Sequence, residues 1–335
     1  MKLYKAFIAL ASALMLIAAT PDKTTTIFII GDSTAAKKDL SKGKLERGWG
    51  MALQCFFDDN IIVDNHAVNG RSSLSFLNEG RWEKVLERMK PGDYVIIQFG
   101  HNDEKAPTDR HTDPGSTFDY NLARYVRETR ERGGIPILMN CVVRRNFFVQ
   151  APEIADDELL RTSTFKDGVK MVEGDSLIDT HGLYRVAPRD VARRMNVHFI
   201  DANKITHDLE QGLGTEGSKK LHMWYLPGTE PTEPKGKQDN THYNIYGAHV
   251  VARLLADALC AEIPVLKAYR TDADITVDRH GRGEYMNLVD AIAAAQTFSK
   301  TETTIQILGG EWERPQLPKK SRVKFILRQG ATWKE

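Results

Sequence analysis

Short runs of apolar, mostly β-branched residues alternate along the chain with longer stretches whose apolar positions recur at helical spacing. Short runs of this kind are typical of buried strands, whereas a spacing of three to four residues is typical of helices. The predicted strands are residues 26–30, 61–65, 94–99, 135–142 and 197–201. Because strands alternate with helices, right-handed crossovers and a parallel sheet are favoured. We therefore predict that residues 24–263 form a three-layer α/β/α sandwich of flavodoxin-like topology.

The pattern changes after residue 263. Residues 264–274 are predicted to be a linker, and residues 275–335 contain a strand, a glycine-rich turn, a short amphipathic helix and two more strands. We expect this last stretch to be a separate unit.

The N-terminus begins with Lys2 and Lys5, which precede an apolar run that ends in small residues. This pattern is typical of a secretory signal peptide, and the run is short for a membrane span. We expect residues 1–20 to be a signal peptide, the protein to be secreted or periplasmic, and no stable membrane span to remain after cleavage. An uncleaved membrane anchor is the alternative interpretation.

Composition narrows the possible partners. The 335 residues are 41% hydrophobic and 27% charged, and the net charge is +1. These values indicate a globular protein, and nucleic acid is not an expected partner. Cys55, Cys141 and Cys260 stand in apolar surroundings, so free thiols are expected and one disulfide stays possible. The sequence holds no C-x-x-C or H-E-x-x-H pattern, so no metal or other cofactor is expected.

Four polar segments follow the predicted strands or precede the last helix: "GDSTAA", "NHAVNGRSS", "QFGHND" and "DNTHYNIYGAH". Ligands of parallel sheets bind at the carboxyl ends of the strands. Ser33 supplies a hydroxyl nucleophile, which needs a neighbouring base. His242 is the candidate base, and Asp239 can orient its imidazole and stabilise the imidazolium. These residues predict acyl transfer by a Ser-His-Asp mechanism.

A tetrahedral intermediate also needs hydrogen-bond donors for its oxyanion. The backbone N–H groups of Ser33 and Gly70 and the side-chain amide of Asn102 are the candidates. Gly70 suits this role because a residue without Cβ lets its N–H group approach a ligand closely. Structural roles are expected instead for Asp32, His101, His66 and His249.

The four segments, in this order, resemble those of the SGNH (GDSL-type) hydrolase superfamily, and their finer forms resemble its rhamnogalacturonan acetylesterase branch. The resemblance spans nearly all of residues 26–260. It implies a catalytic triad of Ser33, Asp239 and His242, with Ser33, Gly70 and Asn102 as oxyanion donors. It also implies a secreted carbohydrate esterase that removes acetyl groups from pectic polysaccharide or oligosaccharide.

Substrate contacts are less sharply indicated. Arg71 and Arg144 follow predicted strands and can pair with the carboxylates of a uronate-containing polymer. Trp224 can stack on a sugar ring. Salt bridges within the fold, or core packing, are equally compatible with these residues. Two other functions stay open: an SGNH lipase or lysophospholipase, and a non-catalytic carbohydrate-binding module.

The C-terminal segments "ITVDRHGRGEYMNLVDAIAAA" and "IQILGGEWERP" resemble the opening coil of a pectin methylesterase (pectinesterase) domain, with Trp312 where that family has tyrosine. That family is a right-handed β-helix, whose catalytic aspartates lie beyond this point. The resemblance implies that residues 275–335 are a truncated β-helix start. We expect this stretch to add nothing to the esterase chemistry.

Overall fold

The computed structural model describes residues 24–105, 109–149 and 173–335, so the predicted signal peptide lies outside the described residues. Its centre is a parallel sheet with the strand order β2-β1-β3-β4-β5. The strands are β1 (Thr25–Gly31), β2 (Ile61–Asn65), β3 (Tyr94–Gln98), β4 (Ile135–Met139) and β5 (His198–Ile200). The predicted parallel sheet is confirmed.

Helices cover both faces of this sheet. They are α1 (Trp49–Ala52), α2 (Ser73–Asn78), α3 (Arg81–Arg88), α4 (Thr117–Glu131), α5 (Ala187–Met195), α6 (Ala202–Ser218) and α7 (Ile245–Glu262). Successive side chains of a strand point to opposite faces. Ile27 and Ile29 of β1 therefore join the core that contains α7, whereas Phe28 and Ile30 join the core that contains α3, α4 and α5. The predicted three layers are confirmed.

An antiparallel hairpin differs from the expectation for the last catalytic segment. Strand β6 (His222–Tyr225) pairs with β7 (Lys237–Tyr243), and Asp239 and His242 lie on β7. The sequence pattern placed both residues in the segment that leads into the final helix and predicted no strand there. That helix begins only at Ile245, because the side chain of Asn244 caps it by accepting the N–H of Gly247.

The C-terminal stretch forms two small parallel sheets, β11-β9-β8 and β10-β12. Its elements are β8 (Ile275–Val277), α8 (Leu288–Gln296), β9 (Thr303–Ile307), β10 (Gly310–Trp312), β11 (Val323–Leu327) and β12 (Ala331–Trp333). Strands stacked in parallel fit the predicted β-helix start.

This C-terminal unit packs against the first part of the chain. The guanidinium of Arg328 donates to the carbonyl of Phe57 and the carboxylate of Asp59, and Gln306 donates to the carbonyl of Cys55. Most of the predicted linker is a 3₁₀ helix, Pro264–Tyr269, with one buried side chain. Among the described residues, no helix is both long and apolar enough to cross a membrane.

Candidate active site

Three polar side chains form a hydrogen-bonded chain at the carboxyl end of the sheet. His242 Nε2 lies 2.9 Å from Ser33 Oγ. On the other side of the ring, His242 Nδ1 lies 2.9 Å from Asp239 Oδ2. Ser33 follows β1, whereas the other two residues lie on β7. The site is therefore assembled from two sheets of different type.

The Asp239 carboxylate is buried and fully engaged. Its Oδ1 accepts the backbone N–H groups of Thr241 and His242 at 3.0 and 2.9 Å. Burial by itself raises the pKa of the Asp239 carboxyl, but the nearby His242 and its hydrogen bonds outweigh burial and hold this pKa well below its usual range. An ionised carboxylate keeps the ring proton on Nδ1, so Nε2 can accept the hydroxyl proton of Ser33.

A tight turn after β1 holds Ser33. Asp32 is fully buried and accepts the backbone N–H and the hydroxyl of Thr34 at 2.9 and 2.8 Å. A Cβ at Gly31 would stand 2.6 Å from the carbonyl oxygen of Gln98, so only glycine fits between the two strands. Asp32 thus anchors the turn, as its expected structural role requires.

Gly70 and Asn102 lie on neighbouring loops of the same cavity as Ser33. Gly70 has a φ of +74°, which favours glycine. The side-chain amide of Asn102 donates to the carbonyl of Arg71 at 3.2 Å and so joins the two loops. The three residues with the expected oxyanion donors therefore line one cavity together with His242.

Asp103, which the sequence argument did not use, holds this arrangement from behind. It accepts the backbone N–H and the hydroxyl of Ser73, at the start of α2, and the hydroxyl of Thr112. Burial raises the pKa of the Asp103 carboxyl to about 7. Its position directly after Asn102 is the signal that points to this anchoring role.

The cavity has a volume of about 570 Å³. Its charged lining comprises the cations Lys105, Arg110, Arg144 and Lys237 and the carboxylates Glu46 and Asp239. Both carboxylates have partners, because Glu46 pairs with Lys38 at 2.7 Å and Asp239 contacts His242. Cations of the lining also have acidic partners, because Arg144 contacts Glu104, and Lys237 lies 3.9 Å from Glu46 and 3.8 Å from Glu233, so the lining is densely charged.

Two of the three substrate-contact residues suggested by the sequence lie outside the cavity lining. Arg71 pairs with Glu79 and does not line the cavity. Trp224 also lies outside the cavity lining, and the ammonium of Lys219 lies 4.4 Å from its ring centroid. The sequence placed Arg71 after a strand and Trp224 shortly before the catalytic segment, but it did not show that their partners would be Glu79 and Lys219.

Arg144 lines the cavity, but its guanidinium contacts the carboxylate of Glu104 at 2.5 Å and is almost completely buried. The other oxygen of Glu104 lies 3.0 Å from His181 Nδ1. Against His181 packs the ring of His101, whose pKa is held well below its usual value by burial and by the positive groups nearby. This network lies directly behind the loop that carries Asn102.

The remaining candidates have structural partners. His66 contacts Asp64 at 3.1 Å, and His249 lies 3.6 Å from the thiol of Cys55. All three cysteines are free and buried. Within residues 24–105, 109–149 and 173–335, no cluster of side chains suited to holding a metal ion is found.

A family profile and several named proteins match this chain. The profile of the GDSL-like lipase/acylhydrolase family matches residues 29–250. The chain is 33% identical over 237 residues to the rhamnogalacturonan acetylesterase RhgT of Bacillus subtilis, covering 71% of this chain and 90% of that protein. It is also 28% identical over 136 residues to an Arabidopsis thaliana protein named "Probable pectinesterase/pectinesterase inhibitor 39", covering 38% of this chain and 24% of that protein.

The crystal structure of YxiM from Bacillus subtilis superposes with a TM-score of 0.52 at 24% identity, over 71% of this chain and 56% of that chain. This likeness concerns the fold. The family profile matches residues 29–250, and the match to RhgT covers 90% of that protein. These two matches show that this chain is an esterase that belongs to the GDSL-like lipase/acylhydrolase family.

Proposed function

We propose that this esterase removes acetyl groups from an acidic, uronate-containing pectic polysaccharide or oligosaccharide. The observation that carries the proposal is the hydrogen-bonded chain of Ser33, His242 and Asp239 in a cavity whose lining is polar and charged and includes Arg110. Relatives named as rhamnogalacturonan acetylesterases support the choice of substrate.

The proposed reaction has two halves. Ser33 Oγ attacks the acetyl carbonyl carbon while His242 Nε2 accepts its proton, and Asp239 stabilises the imidazolium. The backbone N–H groups of Ser33 and Gly70 and the Asn102 amide stabilise the oxyanion. The C–O bond to the sugar then breaks, and His242 returns the proton to the sugar oxygen.

This step leaves Ser33 acetylated. A water molecule gives one proton to His242 and attacks the acetyl carbonyl, the bond to Ser33 Oγ in the second tetrahedral intermediate breaks, and acetic acid leaves and ionises to acetate in water. The proton on His242 returns to Ser33 Oγ, which restores the enzyme. The cycle uses the named side chains, the two backbone N–H groups and water.

Charge in the cavity supports an anionic substrate over a lipid. A lipase needs an apolar surface for the acyl chain, whereas this lining is largely polar and charged. Arg110 reaches the cavity beside Gly70, and its only close carboxylate among the described ion pairs is the exposed Asp109, at 3.7 Å. A guanidinium held this loosely can pair with a substrate carboxylate.

The N-terminal pattern of Lys2, Lys5 and an apolar run supports a further part of the proposal, which is that the protein acts outside the cytoplasm. Polymeric pectic substrates are found there. Residues 275–335 are proposed to be a pectinesterase-like unit, which the likeness to the Arabidopsis thaliana protein supports.

The test is acetate release by the purified protein from acetylated pectic polymer, from neutral acetylated xylan and from p-nitrophenyl octanoate. We expect the pectic polymer to be the best substrate. Preferred turnover of the octanoate would favour the lipase alternative. Binding of the polymer without any acetate release would favour a carbohydrate-binding module.

A further inference from the structure

A turn of the C-terminal unit touches the wall of the active-site cavity through one buried arginine. The turn at residues 278–281 is closed by a hydrogen bond from the Gly281 N–H to the Asp278 carbonyl. The carbonyl of Gly281 accepts the Nε–H of Arg47 at 3.2 Å. Arg47 Nη1 also donates to the carbonyls of Lys44 and Glu46, at 2.8 and 2.9 Å. We call these contacts the Arg47 bridge.

The Arg47 bridge holds the segment that packs beside His242. The backbone N–H of Arg47 donates to the carbonyl of Tyr243, and Glu46 forms an antiparallel bridge with Asn244. Any displacement of residues 46–47 is therefore transmitted to the backbone next to His242.

The same segment also reaches the opposite loop. The Glu46 carboxylate lines the cavity and pairs with Lys38 at 2.7 Å. Lys38 in turn donates to the side chain of Asn69 at 2.8 Å, next to Gly70. A continuous series of contacts thus runs from the C-terminal unit to the loop with an expected oxyanion donor.

We propose that the turn at residues 278–281 is a positioning element for esterase catalysis, acting through the Arg47 bridge on the backbone beside His242 and on the Gly70 loop. The inference rests on the proposed roles of Ser33, His242 and Gly70. It differs from the expectation that residues 275–335 add nothing to the chemistry.

The physical reason lies in the burial of Arg47, which is 3% exposed. A buried guanidinium needs acceptors for its N–H groups, and one that loses an acceptor is costly to leave in place. Without the Gly281 carbonyl, the Arg47 side chain must move toward water and take the Glu46 carbonyl with it. Small displacements of reacting groups cost up to about 10² in rate.

Gly281 offers a way to disturb the turn from the C-terminal side. Its φ is +74°, and a Cβ there would overlap the side chain of Leu40. Gly281→Val therefore strains the turn, because a β-branched residue disfavours this φ and its side chain also meets Leu40, and neither Gly281 nor Leu40 lines the cavity. Gly330→Val is the matched control, because Gly330 has a φ of +80°, lies in the same unit and has no atom within 4 Å of its Cβ position.

The experiment measures kcat and KM for p-nitrophenyl acetate, with kcat divided by the fraction of protein that a fluorophosphonate labels at Ser33. This small substrate makes the result independent of the polysaccharide. We expect Gly281→Val to lower kcat per labelled site by about 3- to 100-fold with little change in KM. We expect Gly330→Val to match the wild type.

Arg47→Met, alone and combined with Gly281→Val, is the second part of the experiment. If both changes act through the Arg47 bridge, the double variant loses no more than the worse single variant. Unchanged kcat in Gly281→Val, or equal losses in the two glycine variants, would overturn the inference. Gly281→Ala supplies the same comparison if the valine variant does not fold. A wild type that is inactive on p-nitrophenyl acetate would instead refute the proposed function.

Discussion

His242 Nε2 and Ser33 Oγ lie 2.9 Å apart although 209 positions separate the two residues along the chain. Ser33 is held by the turn after strand β1 of the parallel sheet, and His242 by the hairpin of β6 and β7. Two separate backbone segments, each with its own supporting contacts, therefore hold the Ser33 hydroxyl next to the His242 imidazole. This preorganisation is what a general base needs in order to activate a serine.

Replacing Asp239 by asparagine should leave the cavity intact but lower kcat by about 10³- to 10⁴-fold, because the amide no longer holds the imidazole in the required tautomer. Esterase kinetics of Asp239→Asn measure this loss. Asp64→Asn is the matched control, since Asp64 also contacts a histidine, His66 at 3.1 Å, but neither residue lines the cavity. Equal effects of the two changes would contradict a special role for Asp239.

Asn102→Ala should lower kcat by about 10²–10³ and change KM little, because its amide meets charge that develops only in the transition state. Steady-state kinetics on p-nitrophenyl acetate separate the two constants. Asn60→Ala, remote from the cavity lining, is expected to behave as wild type. A rise in KM alone would make Asn102 a ground-state binding residue.

Arg110→Gln should raise KM for acetylated pectic polymer by about tenfold or more, the typical cost of losing a charge-assisted hydrogen bond. The same change should leave p-nitrophenyl acetate turnover almost unaffected. Arg127→Gln, an exposed arginine outside the cavity lining, is the control. Equal loss on neutral acetylated xylan would argue against recognition of a carboxylate.

Stability should decrease as pH rises from about 4.5 to 7 because of Glu284 in the C-terminal unit. Its carboxylate accepts the N–H of Thr276, but burial is the larger effect and raises the pKa of the Glu284 carboxyl to about 7. The folded state therefore favours the neutral acid. The stabilising contribution is complete below the unfolded pKa of about 4.5 and is lost as pH rises through about 7.

Urea unfolding at pH 5 and pH 8 tests this expectation. Glu284→Gln should reduce the difference between the two free energies of unfolding by about 2–3 kcal/mol, at about 1.4 kcal/mol per pKa unit. Glu87→Gln, at an exposed position, should not. Asp103, whose pKa burial also raises to about 7, adds a decline of the same sign that both variants retain. Identical pH dependence in Glu284→Gln and wild type would contradict this account.

The strands that position Ser33 were predictable because their residues are uniformly apolar. The predicted bounds 26–30 and 94–99 differ by a residue or two from β1 and β3. Strand β7, with the sequence KQDNTHY, was missed because it carries almost no apolar residues and follows a polar insert. Its pairing with β6 is a tertiary effect that no local pattern contains.

The active site, too, was predictable only in part. The residues that the structure brings together around Ser33 were identifiable because each stands in a short segment with characteristic chemistry. Which charged side chains of the lining can bind substrate was not predictable, because an arginine can be paired with a carboxylate that is distant in sequence. Arg144 meets Glu104 across 40 positions of chain, whereas the ion pair of Arg110 within the described part of the chain is with its exposed neighbour Asp109, at 3.7 Å.

The most direct measurement is acetate released from acetylated pectic polymer by wild type and by Ser33→Ala at equal concentrations of folded protein. We expect steady release by the wild type and none above the uncatalysed background by Ser33→Ala, with the same unfolding transition in both. Because the three side chains act as a unit, adding His242→Ala to Ser33→Ala should lower the rate no further. Substantial acetate release by Ser33→Ala would contradict the account.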